Sequence, residues 1–277
     1  MERIDLPGGH LAYAEAGAGE LVVLLHAGYV DHTSWGREIT RLARRCKVVA
    51  PDARTHGLSS TATAPFRHCD DVAALIRHLD AGPAILVGIS MGASAALDTA
   101  IEHPDCVRGV VISGAGTGEP SFEDPWSLKI LGRLERAIAE MDAAAWIEAE
   151  LDFAAGPRRN LAAVDPDIVA RLRVMHEHFA STHAVVPGVT PPTPVVESWS
   201  RLGKVTVPVL GVVGEEDSAD HHRMTRSAVT AVRDGRGVAT IAGAGHYPNL
   251  ERPEQWARIV DGFLADFGIP SPAAQSA

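Results

Sequence analysis

The stretch from Ala84 to Ala100, AILVGISMGASAALDTA, constrains the fold of this chain more than any other. It opens on four apolar residues, Ala84 to Val87, a run of the length expected for a buried strand. It turns at Gly88-Ile89-Ser90-Met91-Gly92 and continues as a small-residue helix that Pro104 stops. A Gly-x-Ser-x-Gly between strand and helix has the pattern of a nucleophile elbow: the glycines permit a turn too tight for larger residues, and the turn lifts a serine hydroxyl clear of the sheet. The stretch therefore predicts a parallel sheet and reserves Ser90 for chemistry.

The rest of the chain fits that demand. Arg3–Leu6 and His10–Ala16 read as short strands around a Pro7-Gly8-Gly9 turn. Leu21–Leu25 (LVVLL) reads as a strand buried on both faces, followed by a helix near Thr33–Arg44, a strand at Lys47–Ala50 and a helix carrying Val72, Leu75, Ile76 and Leu79. Val107–Ser113 gives a further strand after the elbow unit. From about Glu119 to Arg201 the alternation stops in favour of Pro-punctuated helices, with Val185–Pro194 as a loop or hinge. It resumes with a strand at Val207–Val213, a helix near His221–Val232, a strand at Gly237–Ile241 and a last helix with Trp256, Ile259, Val260, Phe263, Leu264 and Phe267 on one stripe. The expected class is α/β, a doubly wound parallel sheet: core over 1–118 and 202–270, a helical insertion over 119–201 above the carboxyl ends of the strands, and a frayed tail over 271–277.

A serine nucleophile needs a base, an acid that orients the base, and amide donors for the oxyanion. Each is expected at the end of a strand on the same sheet edge. The base is read as His246, framed by small residues in Gly243-Ala244-Gly245-His246. The acid is read as Asp217 in Gly214-Glu215-Glu216-Asp217, with Glu215, Glu216 and Asp220 in competition. The oxyanion donors are read as the N–H groups of Met91 and Gly28, with Ala27 as the alternative to Gly28. Asp52 and Arg54 read as structural turn residues. His32 and Trp35, as well as Trp126, Trp146 and Phe179 of the insertion, are read as lining a substrate pocket, with core packing as the competing role of each. His221-His222 and His176/His178 have neither a shared helix face nor a third ligand, so they read as solvated histidines and no metal is expected.

A net charge of −10 with no basic cluster excludes nucleic acid and anionic membranes as expected partners. The 277 residues hold three separated cysteines, Cys46, Cys69 and Cys106, which read as reduced and buried. With no apolar leader core and no run long enough to span a bilayer, the expected location is the cytoplasm.

Taken together, LLHAG, PDARTHGLS, VGISMG, HPDCVRGVVIS, GEED and AGAGHYPNLERPEQW resemble the α/β-hydrolase superfamily from about Leu21 to Phe267, the insertion excluded. The resemblance implies an eight-stranded, mostly parallel sheet, a helical cap and a Ser90–His246–Asp217 triad with no cofactor. The usual His-Gly of the oxyanion loop is His26-Ala27 here. Serine at the nucleophile position argues against haloalkane dehalogenase and epoxide hydrolase activities, which use aspartate there. The nearest flavour is the branch of small esterases, enol-lactone hydrolases and cofactor-free haloperoxidase-like enzymes. The expected activity is hydrolysis of a small, fairly apolar ester or lactone. Carbon–carbon bond hydrolysis on the same triad and non-catalytic binding of a small molecule are the alternatives.

Overall fold

The computed structural model describes residues 1–271; the expected tail lies, apart from Ser271, outside the described residues. Strands β1 (Glu2–Leu6), β2 (Gly9–Ala16), β3 (Leu21–Leu25), β4 (Lys47–Pro51), β5 (Ala84–Ile89), β6 (Val107–Ser113), β7 (Pro208–Gly214) and β8 (Asp234–Ile241) form one sheet in the order β1-β2-β4-β3-β5-β6-β7-β8. The pairs β1–β2 and β2–β4 are antiparallel, and every other pair is parallel.

Because side chains alternate across a strand, the apolar run of β3 serves two cores at once. Val23 and Leu25 belong to the core on the face covered by helices α2 (His68–Leu79), α3 (Met91–Glu102) and α8 (Ala219–Ala231). Val22 and Leu24 pack on the other face with α1 (Gly36–Leu42) and α10 (Pro253–Ala265), whose Trp256, Val260, Phe263 and Leu264 are buried as the stripe predicted. Cys46, Cys69 and Cys106 are free and buried. Among the described residues no helix is long and apolar enough to cross a membrane.

Between β6 and β7 stand α4 (Pro125–Ala139), α5 (Ala143–Ala155), α6 (Pro166–Thr182) and the short α7 (Ser198–Arg201). The two ends of this insertion are tied together, Ser198 donating from both its N–H and its hydroxyl to Glu119 at 2.7 Å. Val185–Pro194 is a loop, as its prolines demand. The short α9 (Pro248–Glu251) precedes α10.

Two elements differ from the sequence reading. The helix expected from Thr33 begins as a 3₁₀ turn over His32–Trp35, capped by Asp31, and is α-helical only over α1. Strand β8 starts at Asp234 instead of Gly237, because pairing with β7 recruits the turn-like Asp-Gly residues. Gly235 makes that possible: a Cβ there would stand 2.1 Å from the Val229 carbonyl oxygen.

The elbow glycines are demanded by close approach. A Cβ on Gly88 would lie 2.3 Å from the Gly92 carbonyl oxygen, and one on Gly92 would lie 2.2 Å from that of Leu25. Neither obstacle is a side chain that could swing away. We therefore expect Gly92→Ala to cost about 3 kcal/mol. Thermal melts would show this as a fall in Tm of roughly 6–12 °C, and an unchanged Tm would mean that β3 and α3 separate freely.

Candidate active site

Ser90 sits where β5 turns into α3, with φ 53° and ψ −118°, a backbone region that L side chains avoid. Its N–H donates to the Ser113 carbonyl at the end of β6 (2.8 Å), which anchors the strained residue to the neighbouring strand. At the next residue, Gly114, a Cβ would lie 3.0 Å from the His246 ring and 3.1 Å from the Asp217 carboxylate. The ends of β5, β6, β7 and β8 thus bring Ser90, Asp217 and His246 to one edge of the sheet.

Asp217 Oδ2 accepts from His246 Nδ1 at 2.9 Å, and both residues are buried. That bond places the proton on Nδ1 and leaves the Nε2 lone pair free. His246 Nε2 is buried and has no hydrogen-bond partner among the described residues, Ser90 included, so its lone pair is free to accept a proton. The loop that carries it is held from the insertion: His246 N–H donates to the Ala154 carbonyl (3.1 Å), and Glu251, paired with Arg159 at 2.6 Å, accepts from Gly245 N–H (2.8 Å).

The loop after β3 is held just as firmly. His26 Nε2 accepts from Ala53 N–H (2.9 Å), so its proton resides on Nδ1, which donates to the Ala27 carbonyl (2.7 Å). Burial lowers the basicity of this ring and keeps it neutral. A Cβ on Gly28 would sit 4.0 Å from the Met91 Cβ, which puts the Gly28 backbone beside the elbow. No hydrogen bond consumes the Met91 or Gly28 amides among the described residues.

Asp217 also serves a residue the sequence reading set aside. His221 is 2% exposed, and its Nδ1 donates to Asp217 Oδ1 at 2.6 Å. Its ring lies 4.4 Å from that of His246. Despite burial, which opposes ionisation, the two imidazoles hold the Asp217 carboxyl far below the usual carboxylate range. Burial, reinforced by His246, lowers His221 itself, so it is a neutral donor. The expectation of solvated histidines is corrected for His221, and equally for His176, which is 1% exposed. A signal was present: Asp217 and His221 are four residues apart across the cap residue Ser218, one helical turn. Asp217, His221 and His246 have the donor types of a metal site. Their 2.6 and 2.9 Å separations are those of N–H···O bonds, whereas ligands of one tetrahedral zinc stand roughly 3.3 Å apart.

The competing acids are occupied elsewhere. Glu215 accepts from Gly243 N–H, Glu216 pairs with Arg158, and Asp220 accepts from the Glu123 and Asp124 amides.

Of the residues expected to line a pocket, Trp35 is a correction: it is fully buried against Trp256, its ring 5.9 Å away, in the core below the sheet edge. His32 is committed to Asp52, which accepts from both its N–H and its ring Nδ1, and it steadies the loop after β3. Asp52 has the structural role expected of it and accepts from Leu58 N–H as well. The aromatic residues of the insertion converge on the site. Trp126 stacks on Phe153, whose ring is 5.1 Å from those of both His246 and His221. Trp146 and Phe179 pack around Tyr29, the residue after Gly28.

One acid stands among these rings. Glu150 on α5 is 9% exposed and has no ionic or hydrogen-bonded partner among the described residues, and burial pushes its carboxyl up from 4.5 to about 8. Its folded value lies above its unfolded one, so stability falls as pH rises between about 4.5 and 8 and is level above that window. We expect Glu150→Gln to remove this slope and to gain roughly 2–3 kcal/mol more at pH 7.5 than at pH 5.5, read by urea titration. Equal gains at both pH values would mean that the native carboxyl ionises normally.

Comparison with known proteins agrees with this geometry. The model of the alpha/beta hydrolase family matches residues 22–259. The chain is 28% identical over 282 residues to a 2-(acetamidomethylene)succinate hydrolase of Mesorhizobium japonicum, covering 95% of this chain and 94% of that protein. It is 24% identical to a 3-oxoadipate enol-lactonase of Acinetobacter baylyi, with 93% and 94% covered. The fold superposes on a thermophilic esterase of Thermogutta terrifontis with a TM-score of 0.75 at 23% identity, over 96% of this chain and 99% of the other. With the family model spanning the sheet, the elbow and the His246 loop, the chain belongs to the alpha/beta hydrolase family.

Proposed function

We propose that the protein is a serine hydrolase that cleaves a small, fairly apolar ester or lactone. The observation that carries this reading is that one sheet edge carries both a strained, half-buried Ser90 and a His246 whose Nδ1 is held by Asp217 and whose Nε2 is free among the described residues. Hydrogen bonds between nucleophile and base are commonly loose until substrate arrives.

In this mechanism the Ser90 hydroxyl attacks the substrate carbonyl as His246 Nε2 takes its proton. The oxyanion accepts from the Met91 and Gly28 amides, each such donor worth about 3 kcal/mol in the transition state. Collapse expels the alcohol, which receives the proton from His246. Water then attacks the acyl-enzyme, giving its proton to His246; collapse breaks the bond to Ser90 Oγ, which takes that proton back from His246, and the carboxylic acid leaves. Asp217 stays ionised throughout and stabilises the imidazolium. The inserted helices act as a cap, and their aromatic rings favour an apolar substrate. Among the relatives' names, those of the enol-lactonase and the esterase support this bond class.

The test is exposure to a small fluorophosphonate followed by intact-mass measurement and peptide mapping. One adduct on Ser90, absent from His246→Ala, is expected. Folded protein that takes no adduct would overturn the mechanism in favour of a binding protein.

A further inference from the structure

Trp146, Glu150 and Phe153 lie at i, i+4 and i+7 on α5, so they share one face of that helix. At one end of this stripe the Trp146 ring meets Tyr29 edge-on at 4.9 Å, directly after the oxyanion residue Gly28. At the other end Phe153 meets His246 at 5.1 Å. Glu150 therefore hangs between the oxyanion loop and the base, with the Tyr29 and Tyr247 phenols among its neighbours. A leucine there would fold at lower cost, since a buried acid without a partner is unfavourable. The mechanism above makes no use of it.

We propose that Glu150, on the α5 face between the oxyanion loop and His246, is a polar subsite for the substrate of Ser90, donating a hydrogen bond from its carboxyl to an uncharged acceptor of the substrate, a ketone or similar carbonyl a few bonds from the scissile one. This rests on the serine-hydrolase reading and narrows its substrate class. The titratable groups around Glu150 are the Tyr29 and Tyr247 phenols, both pushed upward and neutral, the buried His176 against Trp146, and the His221–Asp217–His246 group beyond Phe153. Arg159, which follows α5, is committed to Glu251. No cation is available to ionise Glu150, so it acts as a donor.

The experiment compares p-nitrophenyl 4-oxopentanoate with p-nitrophenyl pentanoate. Wild type is expected to favour the keto ester about 10-fold in kcat/KM, the worth of one neutral hydrogen bond in a dry site. Glu150→Gln, whose amide also donates, keeps the preference, and Glu150→Leu loses it. The wild-type preference declines from pH 7 to pH 9, while that of Glu150→Gln stays level, a readout that holds even if the leucine variant does not fold. Preference retained in folded Glu150→Leu overturns the subsite. Preference lost in Glu150→Gln with a gain for ammonium-bearing esters overturns the acceptor class. Failure of the serine-hydrolase reading is separable: dissociation constants of the two esters for Ser90→Ala, read by tryptophan quenching, are expected to differ about 10-fold even if wild type turns neither over. Equal constants overturn the subsite whatever the turnover.

Discussion

Ser90→Ala and His246→Ala are each expected to lower kcat/KM for a small aryl ester by about 10⁴-fold or more, and the double variant by hardly more than either single one. The reason is that the two residues act as one device. Without the hydroxyl the base has nothing to deprotonate, and without the base the hydroxyl is a poor nucleophile at neutral pH. Folding should survive both changes, since His246 is anchored through its backbone N–H to Ala154 and Ser90 through its N–H to Ser113. Ser90→Gly offers a sharper comparison. At φ 53° the serine is strained and glycine is not, so this variant should be equally inactive yet about 1 kcal/mol more stable. Steady-state kinetics beside urea titration decides it. Activity surviving in Ser90→Gly would transfer the nucleophile elsewhere, and a destabilised Ser90→Gly would deny the strain.

Asp217→Asn is expected to cost about 10⁴-fold in kcat/KM and to destabilise the fold as well. Asp217 accepts from His246 Nδ1, His221 Nδ1 and Ser218 N–H. An amide presents one oxygen to these donors and turns its NH₂ against an Nδ1–H, leaving a buried donor unpaired. His221 should behave differently, because it is buried against Asp217 and bonds Oδ1, whereas His246 bonds Oδ2. His221→Ala is expected to reduce turnover by about 10- to 100-fold, the value of one hydrogen bond to a charged group. With His221 gone, the Asp217 charge serves His246 alone. The acid limb of kcat/KM should then move to higher pH, an effect that simple loosening of α8 would not produce. An unmoved limb would reduce His221 to packing. Full activity in Asp217→Asn would return the acid to Glu216 or Glu215.

Much of this was legible in the linear chain, for reasons of range. A buried strand, a tight turn and a small-residue helix are properties of a few consecutive residues, so Gly88 to Gly92 declared the elbow, and the clashes a Cβ would meet there explain why glycine is required. Asp217 and His246 were legible as neighbours because both follow apolar runs that end in small or turn-forming residues, which places them on one sheet edge, where a 2.9 Å hydrogen bond joins them. Trp35 was less legible: a tryptophan after a polar loop suits a pocket wall and a core equally, and only its meeting with Trp256, more than two hundred residues on, decides for the core. The start of β8 was hidden because Asp234-Gly235 has turn chemistry that pairing with β7 overrides.

By itself, then, the sequence determined the layered α/β architecture, the elbow and the placing of Ser90, Asp217 and His246 at strand ends, because these follow from hydrophobic periodicity and local backbone geometry. Tertiary structure alone decided the surroundings of those groups. It turned His221 inward onto Asp217, set Phe153 against His246, and buried Glu150 without a partner among the described residues. Whether an ionisable side chain on an amphipathic helix meets water or another side chain depends on what docks against that helix from elsewhere in the chain, and no local pattern carries that information.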